Sequence, residues 1–392
     1  MTDTLLPGNL KGNMRPDQSD SRKVPFRDLK GHTSHVTSCH FCFDDTKLLT
    51  CSHDGMAKLW DVSTLTLIRE FGDEHTAPIS ECNPTQDNTR MVTSSYDKTA
   101  KLWDLETGKA LWSVSLDGLV TSCNVSGDGK RVVCAVDVEN AACIIDSATA
   151  SIVVNIKDHH TSTIMRCCFD PESQRICSVS SDRSVKLWDI TAQRTTIKIN
   201  QAHNNVISDC VFSSNGRLLC TASWDKSIKL WDINTGAFQH RGPDNLLHAH
   251  TGSVSSCAFS KDASVLVSGG YDRTIVLWDV SSARKKLVLK GHADWVLDVA
   301  LSASKKWLLS SSKDSTLRLW NIEKYEDIPA VIENKKAIGS RLSQCEKCER
   351  PFPIMHWDNA SVTTRCVFCR LSTPPRSPLT LPTAPSSDFS TL

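Results

Sequence analysis

Short runs of apolar and β-branched residues alternate with turns rich in Asn, Asp and Gly along most of the chain. Residues 207–212 and 218–223 are two such runs, separated by Asn215-Gly216. A third run, 227–232, follows after Trp224-Asp225-Lys226. Runs of this length between turn residues predict β-strands. Three successive strands are therefore predicted here, and Asn234-Thr235-Gly236 leads to a fourth, outer strand.

This unit repeats along the sequence. A Trp follows an Asp by six residues at Trp60, Trp103, Trp188, Trp231, Trp278 and Trp320, in steps of 43, 85, 43, 47 and 42 residues. A His opens each of these copies and keeps the same steps, at His32, His75, His160, His203, His250 and His292. The step of 85 is about twice the others, which predicts one degenerate copy between Trp103 and Trp188.

Over residues 22 to about 322 the chain resembles the WD40-repeat family, because a period of this size closed by Trp-Asp is typical of a propeller blade. The resemblance implies an all-β, seven-bladed WD40 β-propeller. Its third blade is degenerate: Leu116-Asp117 replaces the opening Gly-His, and Ile145-Asp146 replaces Trp-Asp.

Residues 22–32 (RKVPFRDLKGH) are similar to residues 284–292 (RKKLVLKGH), which occupy the place of an outer strand. The first of these stretches has no blade of its own before it. We therefore expect a strand at about Val24 to Leu29 to complete the seventh blade, which would close the ring and leave no exposed sheet edge.

Ser, His and Asp recur in the copies, so a hydrolase triad is conceivable on paper. A catalytic set is needed once, however, whereas this set is repeated, and we predict that the protein is not an enzyme. The resemblance implies instead a structural tetrad in which a buried Asp accepts hydrogen bonds from His and Ser, and Ser also reaches the indole N–H. The predicted tetrads are His32, Ser52, Asp54, Trp60; His75, Ser95, Asp97, Trp103; His160, Ser180, Asp182, Trp188; His203, Ser223, Asp225, Trp231; and His292, Ser312, Asp314, Trp320. In the sixth copy Gly270 replaces Ser, which leaves His250, Asp272 and Trp278.

Function is then expected on the surface. The middle residue of Ser-x-Asp lies at a turn on one rim of the propeller, and the third and fifth residues after the opening His flank that rim, as in WD40 proteins that bind peptides there. Large aromatic residues at exposed turns favour partner binding, although some of these rings could simply lie against their neighbours. The candidate rim residues are His35, His53, Tyr96, Met165, Trp224, Tyr271, Trp295 and Leu297.

A second candidate site follows the repeats. Cys345-x2-Cys348 and Cys366-x2-Cys369 are separated by 17 residues, a spacing typical of a closed four-thiolate zinc site. We predict one structural zinc ion and a small zinc-ribbon-like module. The cysteines of the repeats, by contrast, recur in register, and Val299 takes their place in the last copy, so they are interpreted as small buried hydrophobes.

The predicted organisation is a disordered tail at 1–21, the propeller at 22–322, a linker at 323–340, the zinc module at 341–371 and a Pro/Ser-rich disordered tail at 372–392. The net charge of +1 implies no bulk attraction to nucleic acid or membrane. We find no signal peptide or apolar span, which favours an intracellular protein of the cytoplasm, the nucleus or both, with no membrane contact.

The function predicted from these features is that of a non-enzymatic scaffold that binds short peptide segments of other proteins on the propeller rim, with no small-molecule substrate. One alternative is a substrate receptor of a ubiquitin ligase, which is weakened by the lack of Arg two residues after any Trp-Asp. The other is nucleic-acid binding through the zinc module, which its small surplus of positive charge hardly supports.

Overall fold

A computed structural model of the 392-residue chain describes residues 24–72, 74–235, 239, 242–247 and 250–324, together with the backbone of 341–344 and 351–354. The chain divides into two compact units, Met1–Ile328 and Pro329–Leu392. The first unit contains seven four-stranded antiparallel sheets, which are the seven blades of a propeller. The predicted all-β, seven-bladed fold is therefore confirmed.

Each blade is a meander in which strands pair in the order of the sequence. Blade one contains β2 (Val36–Cys42), β3 (Lys47–Ser52), β4 (Ala57–Asp61) and β5 (Leu67–Phe71); blade two contains β6 (Ile79–Pro84), β7 (Arg90–Ser95), β8 (Thr99–Asp104) and β9 (Ala110–Ser115). Blade three contains β10 (Val120–Val125), β11 (Arg131–Val136), β12 (Ala141–Asp146) and β13 (Ile152–Ile156); blade four contains β14 (Ile164–Phe169), β15 (Arg175–Ser180), β16 (Val185–Asp189) and β17 (Arg194–Ile199).

The remaining blades follow the same plan. Blade five contains β18 (Ile207–Phe212), β19 (Leu218–Ser223), β20 (Ile228–Asp232) and β21 (Asp244–Leu246); blade six contains β22 (Val254–Phe259), β23 (Val265–Gly270), β24 (Thr274–Asp279) and β25 (Arg284–Lys290). Blade seven contains β26 (Val296–Leu301), β27 (Trp307–Ser312) and β28 (Thr316–Asn321).

The fourth strand of blade seven comes from the start of the propeller sequence. Strand β1 (Phe26–Lys30) pairs antiparallel with β28, with Phe26 opposite Trp320 and Leu29 opposite Leu317. Asp28 accepts a hydrogen bond from Arg318 Nε at 2.9 Å. The predicted closure of the ring by the first strand is confirmed, and the strand begins two residues later than Val24.

The hydrophobic core is divided among the contacts between blades. Seven clusters of buried apolar side chains each draw residues from two successive blades. The cluster around Leu29, Val36, Leu48 and Leu317 joins blade seven to blade one. The second strand of each blade is buried along nearly its whole length, as in β3 and β11, whereas outer strands such as β9 and β17 alternate between exposed and half-buried residues.

Blade three keeps the apolar core without the polar motif. Val132, Cys134 and Ile145 pack against blade two, and Val133 and Ile144 pack against blade four. This copy has two more residues than the others between the motif Asp and the next Asp, Asp137 to Asp146, and a 3-10 turn at Val138–Asn140 lies in this interval. No helix in the described part of the chain has the length and apolar character needed to cross a bilayer.

In the second unit, β29 (Arg341–Gln344) and β30 (Pro351–Ile354) form an antiparallel hairpin, with Gln344 opposite Pro351. The four cysteines predicted to bind zinc lie outside the described residues, as do the tails predicted at 1–21 and 372–392.

Candidate functional site

The turns between the second and third strands of the blades share one rim of the propeller, since all blades have the same meander. The backbone holds these turns close to the segment that precedes each inner strand. In blade five the Trp224 amide donates to Val206 O at 2.9 Å, and in blade six the Tyr271 amide donates to Ser253 O at 2.8 Å. Side chains from both segments therefore meet on this rim.

Blades five, six and seven place a row of aromatic rings there. The ring centroids of Trp224 and Tyr271 lie 6.3 Å apart, and those of Tyr271 and Trp295 lie 4.4 Å apart with planes only 14° from parallel. Lys313 Nζ lies 4.1 Å from the centroid of Trp295. We refer to Trp224, Tyr271, Trp295 and Lys313 as the aromatic row. Trp295 is 40% exposed although its ring has contacts on either side.

A second group of rings belongs to blades one and two. His35 and His53 have ring centroids 5.3 Å apart, and His53 and Tyr96 have centroids 6.0 Å apart. Burial lowers the pKa of His53, and neighbouring His35 lowers it further, so His53 is neutral at neutral pH.

In the aromatic row, burial raises the pKa of Tyr271, and Tyr96 raises it further, so the phenol of Tyr271 remains a hydrogen-bond donor.

Met165 and Leu297 differ from the other rim candidates because each stands where five other blades have a Ser or Thr. At the equivalent place in five other blades, a hydroxyl donates to a backbone carbonyl of the next blade, as Ser80 does to Val120 O at 2.7 Å and Ser208 does to Val254 O at 2.7 Å. Met165 and Leu297 are half-buried at this position. They add apolar surface where those blades use a hydrogen bond.

Positive charge surrounds the rim. The residue after the motif Asp has a positive φ, which is 67° at Lys98, 67° at Arg183, 71° at Lys226 and 66° at Arg273. All four side chains are exposed. Four cations thus stand on the turns of blades two, four, five and six, and two of them, Lys226 and Arg273, are on the turns that carry Trp224 and Tyr271.

Beneath the rim lies the repeated polar network. In blade five, His203 Nδ1 donates to Asp225 at 3.0 Å, while Thr221 Oγ1 donates to His203 Nε2 at 2.8 Å and accepts from Trp231 Nε1 at 2.9 Å. We assign the proton to Nδ1 because Asp225 can only accept there. Burial lowers the pKa of His203 against the opposing hydrogen bond to Asp225, so the ring is neutral.

The hydroxyl that completes this network is not the predicted one. Ser52, Ser95, Ser180, Ser223 and Ser312 were predicted to bond the His and the Trp, and that assignment is wrong. The hydroxyl that bonds the His lies two residues earlier, at Thr50, Thr93, Ser178, Thr221, Ser268 and Ser310, and all of these except Ser178 also accept from the Trp.

The physical reason is strand alternation combined with the turn. The serine of Ser-x-Asp is the last residue of its strand, and its hydroxyl accepts from the motif Asp amide, as in Asp225 N to Ser223 Oγ at 3.1 Å. It therefore caps the turn and cannot also reach the His. The sixth blade, with Gly270, consequently has a complete network through Ser268. A signal was present in the sequence, since all six copies have Ser or Thr at the earlier position.

The aspartates of the network are strongly acidic. Burial alone would raise the pKa of Asp54, but hydrogen bonds from His32 and the Thr33 amide outweigh it and lower that pKa to about 2. The pKa of Asp225 is lowered against burial by hydrogen bonds from His203 and Ser227. Each carboxylate is ionised and fully engaged, which suits a structural group better than a proton-transferring one.

Blade four departs from this pattern. His160 bonds Asp182 at 2.9 Å and Ser178 at 2.8 Å, but Trp188 Nε1 is buried with no hydrogen-bond partner among the described residues. The ring of His159, which stands where the other copies have Gly, Glu or Ala, packs edge-on against Trp188 with centroids 5.8 Å apart. Blade four is the one copy of the six with an aromatic ring at this place.

The central channel contains a second buried network that sequence reasoning missed. Arg166 of blade four lies between Glu81 of blade two, at 3.0 Å, and Asp209 of blade five, at 3.2 Å. Asp209 also accepts from the Cys257 amide at 2.8 Å, and Asp298 accepts from the Cys39 amide at 2.9 Å. These carboxylates link the inner strands of neighbouring blades, so this network is structural.

The thirteen described cysteines are free thiols, and twelve of them are buried. Cys168, Cys177 and Cys210 place their sulfurs within 4.8 Å of one another between blades four and five. Such a group could hold a soft metal ion. All three also pack in the core cluster between these two blades, which agrees with the interpretation of the repeat cysteines as small hydrophobes.

Comparisons with known proteins agree with this architecture. The model of the family "WD domain, G-beta repeat" matches residues 23–61, 65–104, 151–189, 194–232, 243–279 and 283–321, which is more than half of the chain. Residues 105–150 have no match, and they contain the first three strands of the degenerate third blade.

Three curated proteins are similar in sequence. The human "WD repeat-containing protein 88" is 56% identical over 359 residues, which are 91% of this chain and 76% of that protein. "Protein transport protein SEC13" of Phaeosphaeria nodorum is 39% identical over 59 residues, 14% of this chain and 20% of that protein. "Protein LST8 homolog" of Drosophila pseudoobscura pseudoobscura is 37% identical over 73 residues, 17% of this chain and 23% of that protein. With six matched repeats in a closed seven-bladed ring, the chain belongs to the WD40-repeat family.

Proposed function

We propose that this protein is a non-enzymatic scaffold that binds a short peptide segment of another protein on its rim. WD40 propellers typically bind other proteins. The observation that carries the finer proposal is the aromatic row, in which three rings from successive blades lie side by side with Trp295 40% exposed. Aromatic side chains dominate the energetics of interfaces, and exposing them is costly without a partner.

The chemistry of the rim favours a particular kind of segment. The exposed part of Trp295 offers apolar area, whose burial stabilises a complex by about 25 cal/mol per Å². Lys313 already lies over the ring of Trp295, so a second cation from the partner is disfavoured there. Lys226 and Arg273 are exposed on the turns that carry Trp224 and Tyr271. We therefore infer a peptide with an apolar or aromatic side chain next to acidic residues.

The proposal is tested by affinity capture from cell extract, with partners identified by mass spectrometry. Trp224→Ala with Trp295→Ala should abolish capture of the main partner while the melting temperature stays close to that of the native chain. A matched control is Leu111→Ala with Val153→Ala, which removes two exposed apolar side chains from outer strands and should leave capture unchanged.

A third variant separates the rim from the second unit. If the partner is still captured by the double Trp variant but lost when residues 341–392 are removed, the second unit is the binding element and the rim proposal is wrong. A partner lost only from the double Trp variant supports the rim. An acidic synthetic peptide derived from that partner should then bind the isolated native protein.

We also propose that Cys345, Cys348, Cys366 and Cys369 bind one structural zinc ion. The spacing supports this, as does the hairpin of β29 and β30, because the first Cys pair lies in the sequence between these two paired strands. Turns at the ends of short hairpins are common carriers of such Cys pairs. An intracellular location is proposed as well, since a chain with this many free thiols suits a reducing compartment.

A further inference from the structure

A cavity of about 430 Å³ opens beside blade four. Its lining comes from β13, from the segment between β13 and β14, and from β16 and β17. Cavities that hold small ligands in proteins have volumes of about 300–1,000 Å³. The residues that matter for its chemistry are Lys157, Asp158, His159, Lys186, Trp188 and Lys198.

Two cations face each other across this part of blade four. Lys186 on the third strand lies directly opposite Lys198 on the outer strand. At the equivalent places, blade one has Lys58 opposite Glu70, with Nζ and Oε1 2.6 Å apart. Blade seven has Arg318 opposite Asp28, with Nε and Oδ1 2.9 Å apart. Among the described strands, only blade four sets two cations in these places, and like charges directly opposite destabilise a sheet.

No described carboxylate forms an ion pair with Lys186 or Lys198. Lys186 donates to the carbonyl of His159, and burial together with Lys198 lowers the pKa of the Lys186 ammonium. Lys157 is paired with Glu139 at 2.9 Å. Asp158 is the single acidic residue of the lining. The cavity therefore has a local excess of positive charge without a protein counterion.

Trp188 also lines the cavity. Its Nε1 is buried and has no partner among the described residues, so the ring and not the N–H is what the cavity exposes. An anion bound in the cavity would neutralise the two lysines.

We propose that this cavity binds an anion of the phosphate monoester class. Such a group carries close to two negative charges at neutral pH and three strong acceptor oxygens. It thus matches two ammonium groups, whereas a carboxylate brings one charge and two oxygens. The volume leaves room for the organic part of a small phosphorylated compound or of a phosphorylated side chain.

Inorganic phosphate is the first probe, measured with the full-length chain near pH 7.5. The melting temperature should rise in phosphate relative to chloride at equal ionic strength, because a ligand that binds the native state stabilises it. Phosphorus-31 NMR should show broadening of the phosphate resonance by the protein. Both responses should disappear in Lys198→Glu, which recreates the charge pattern of blade one and is expected to fold well.

Lys109→Glu is the charge-matched control. Lys109 is exposed on blade two, and this change alters the net charge equally, so the phosphate response should persist. Competition by O-phosphoserine in a short peptide, compared with glycerol phosphate, distinguishes a protein source from a small-molecule source.

The proposal is overturned if phosphate and chloride have the same effect on the native chain. It is equally overturned if Lys198→Glu responds to phosphate as the native chain does, since binding would then lie elsewhere. A response that is lost in Lys198→Glu and kept in Lys109→Glu supports it.

Discussion

The indole N–H of Trp231 donates to the hydroxyl of Thr221 at 2.9 Å, and the same hydroxyl donates to His203 Nε2 at 2.8 Å. Both contacts are buried. The hydroxyl of Thr221 is therefore the central group of the blade-five network, because it satisfies a donor on one side and an acceptor on the other.

Removing that hydroxyl should destabilise the propeller. Thr221→Val keeps the shape of the side chain but leaves both Trp231 Nε1 and His203 Nε2 unpaired, and should cost about 1–3 kcal/mol. Ser178→Ala in blade four is the comparison, since Trp188 already lacks this bond, and it should cost less. Urea denaturation of both variants measures the difference. A loss at Ser178 equal to or larger than that at Thr221 would contradict the assignment.

The motif aspartates offer a parallel comparison. Asp225→Ala removes an acceptor of His203, the Asn204 amide and Ser227, and should cost on the order of 1–3 kcal/mol. Asp137→Ala in blade three removes one bond to the Leu119 amide, and we expect a smaller loss. If Asp225→Ala and Asp137→Ala lower the denaturation midpoint equally, the polar network of blade five contributes no more to stability than the single hydrogen bond of Asp137 does.

Closure of the ring depends on five residues at the start of the propeller. Deleting residues 1–30 removes β1 and exposes the edge of β28, so the protein should aggregate and melt at a lower temperature. Deleting only residues 1–23 leaves the strand in place and serves as the control. Light scattering and thermal unfolding report the outcome. A soluble 1–30 deletion with an unchanged melting temperature would count against closure by this strand.

The channel carboxylate Asp209 should make stability depend on pH. Burial raises the pKa of Asp209 to about 7 even though Arg166 opposes the change. The native state therefore retains a proton between about pH 4 and pH 7 that the unfolded chain releases, so this group's contribution to stability falls as pH rises through that range. Asp209→Asn removes the titration.

The measurement is the free energy of unfolding of both proteins at several pH values from 5 to 8. The substitution itself changes the free energy of unfolding by an amount that does not depend on pH. As pH rises, the free energy of unfolding of Asp209→Asn should increase relative to that of the native protein. A difference that stays constant over this range would show that Asp209 is ionised throughout and that Arg166 dominates its environment.

Metal content tests the proposed zinc site. Protein expressed with zinc should contain about one zinc ion per chain, and Cys345→Ser with Cys348→Ser should lose it. Thiolate binding couples metal binding to folding, so the second unit should unfold in this variant while the main thermal transition of the propeller remains. Metal analysis that finds no zinc in the native chain would defeat the assignment.

Seven blades, the degenerate third copy and the closing strand were predictable from the sequence because they depend on local patterns. A strand at residues 207–212 follows from its own composition. Because the same pattern recurs in the other copies, the same inference applies to all seven blades. The closing strand was recognisable because residues 22–32 are similar to residues 284–292, which the repeat assigns to an outer strand. The aromatic row was predictable for the same reason, since equivalent positions of neighbouring blades must lie side by side.

Only the tertiary structure decided which atoms meet. The periodic Ser of Ser-x-Asp looked like the partner of His203, yet the hydroxyl in reach belongs to Thr221, because strand direction and the turn decide where a side chain points. Arg166 and Glu81 each stand six residues after the opening His of their copy, yet the repeat does not tell that these two side chains pair across the channel. The facing of Lys186 and Lys198 likewise depends on strand register. Repetition makes the sequence informative about what all blades share, whereas contacts that occur once arise from side chains brought together by closure of the ring.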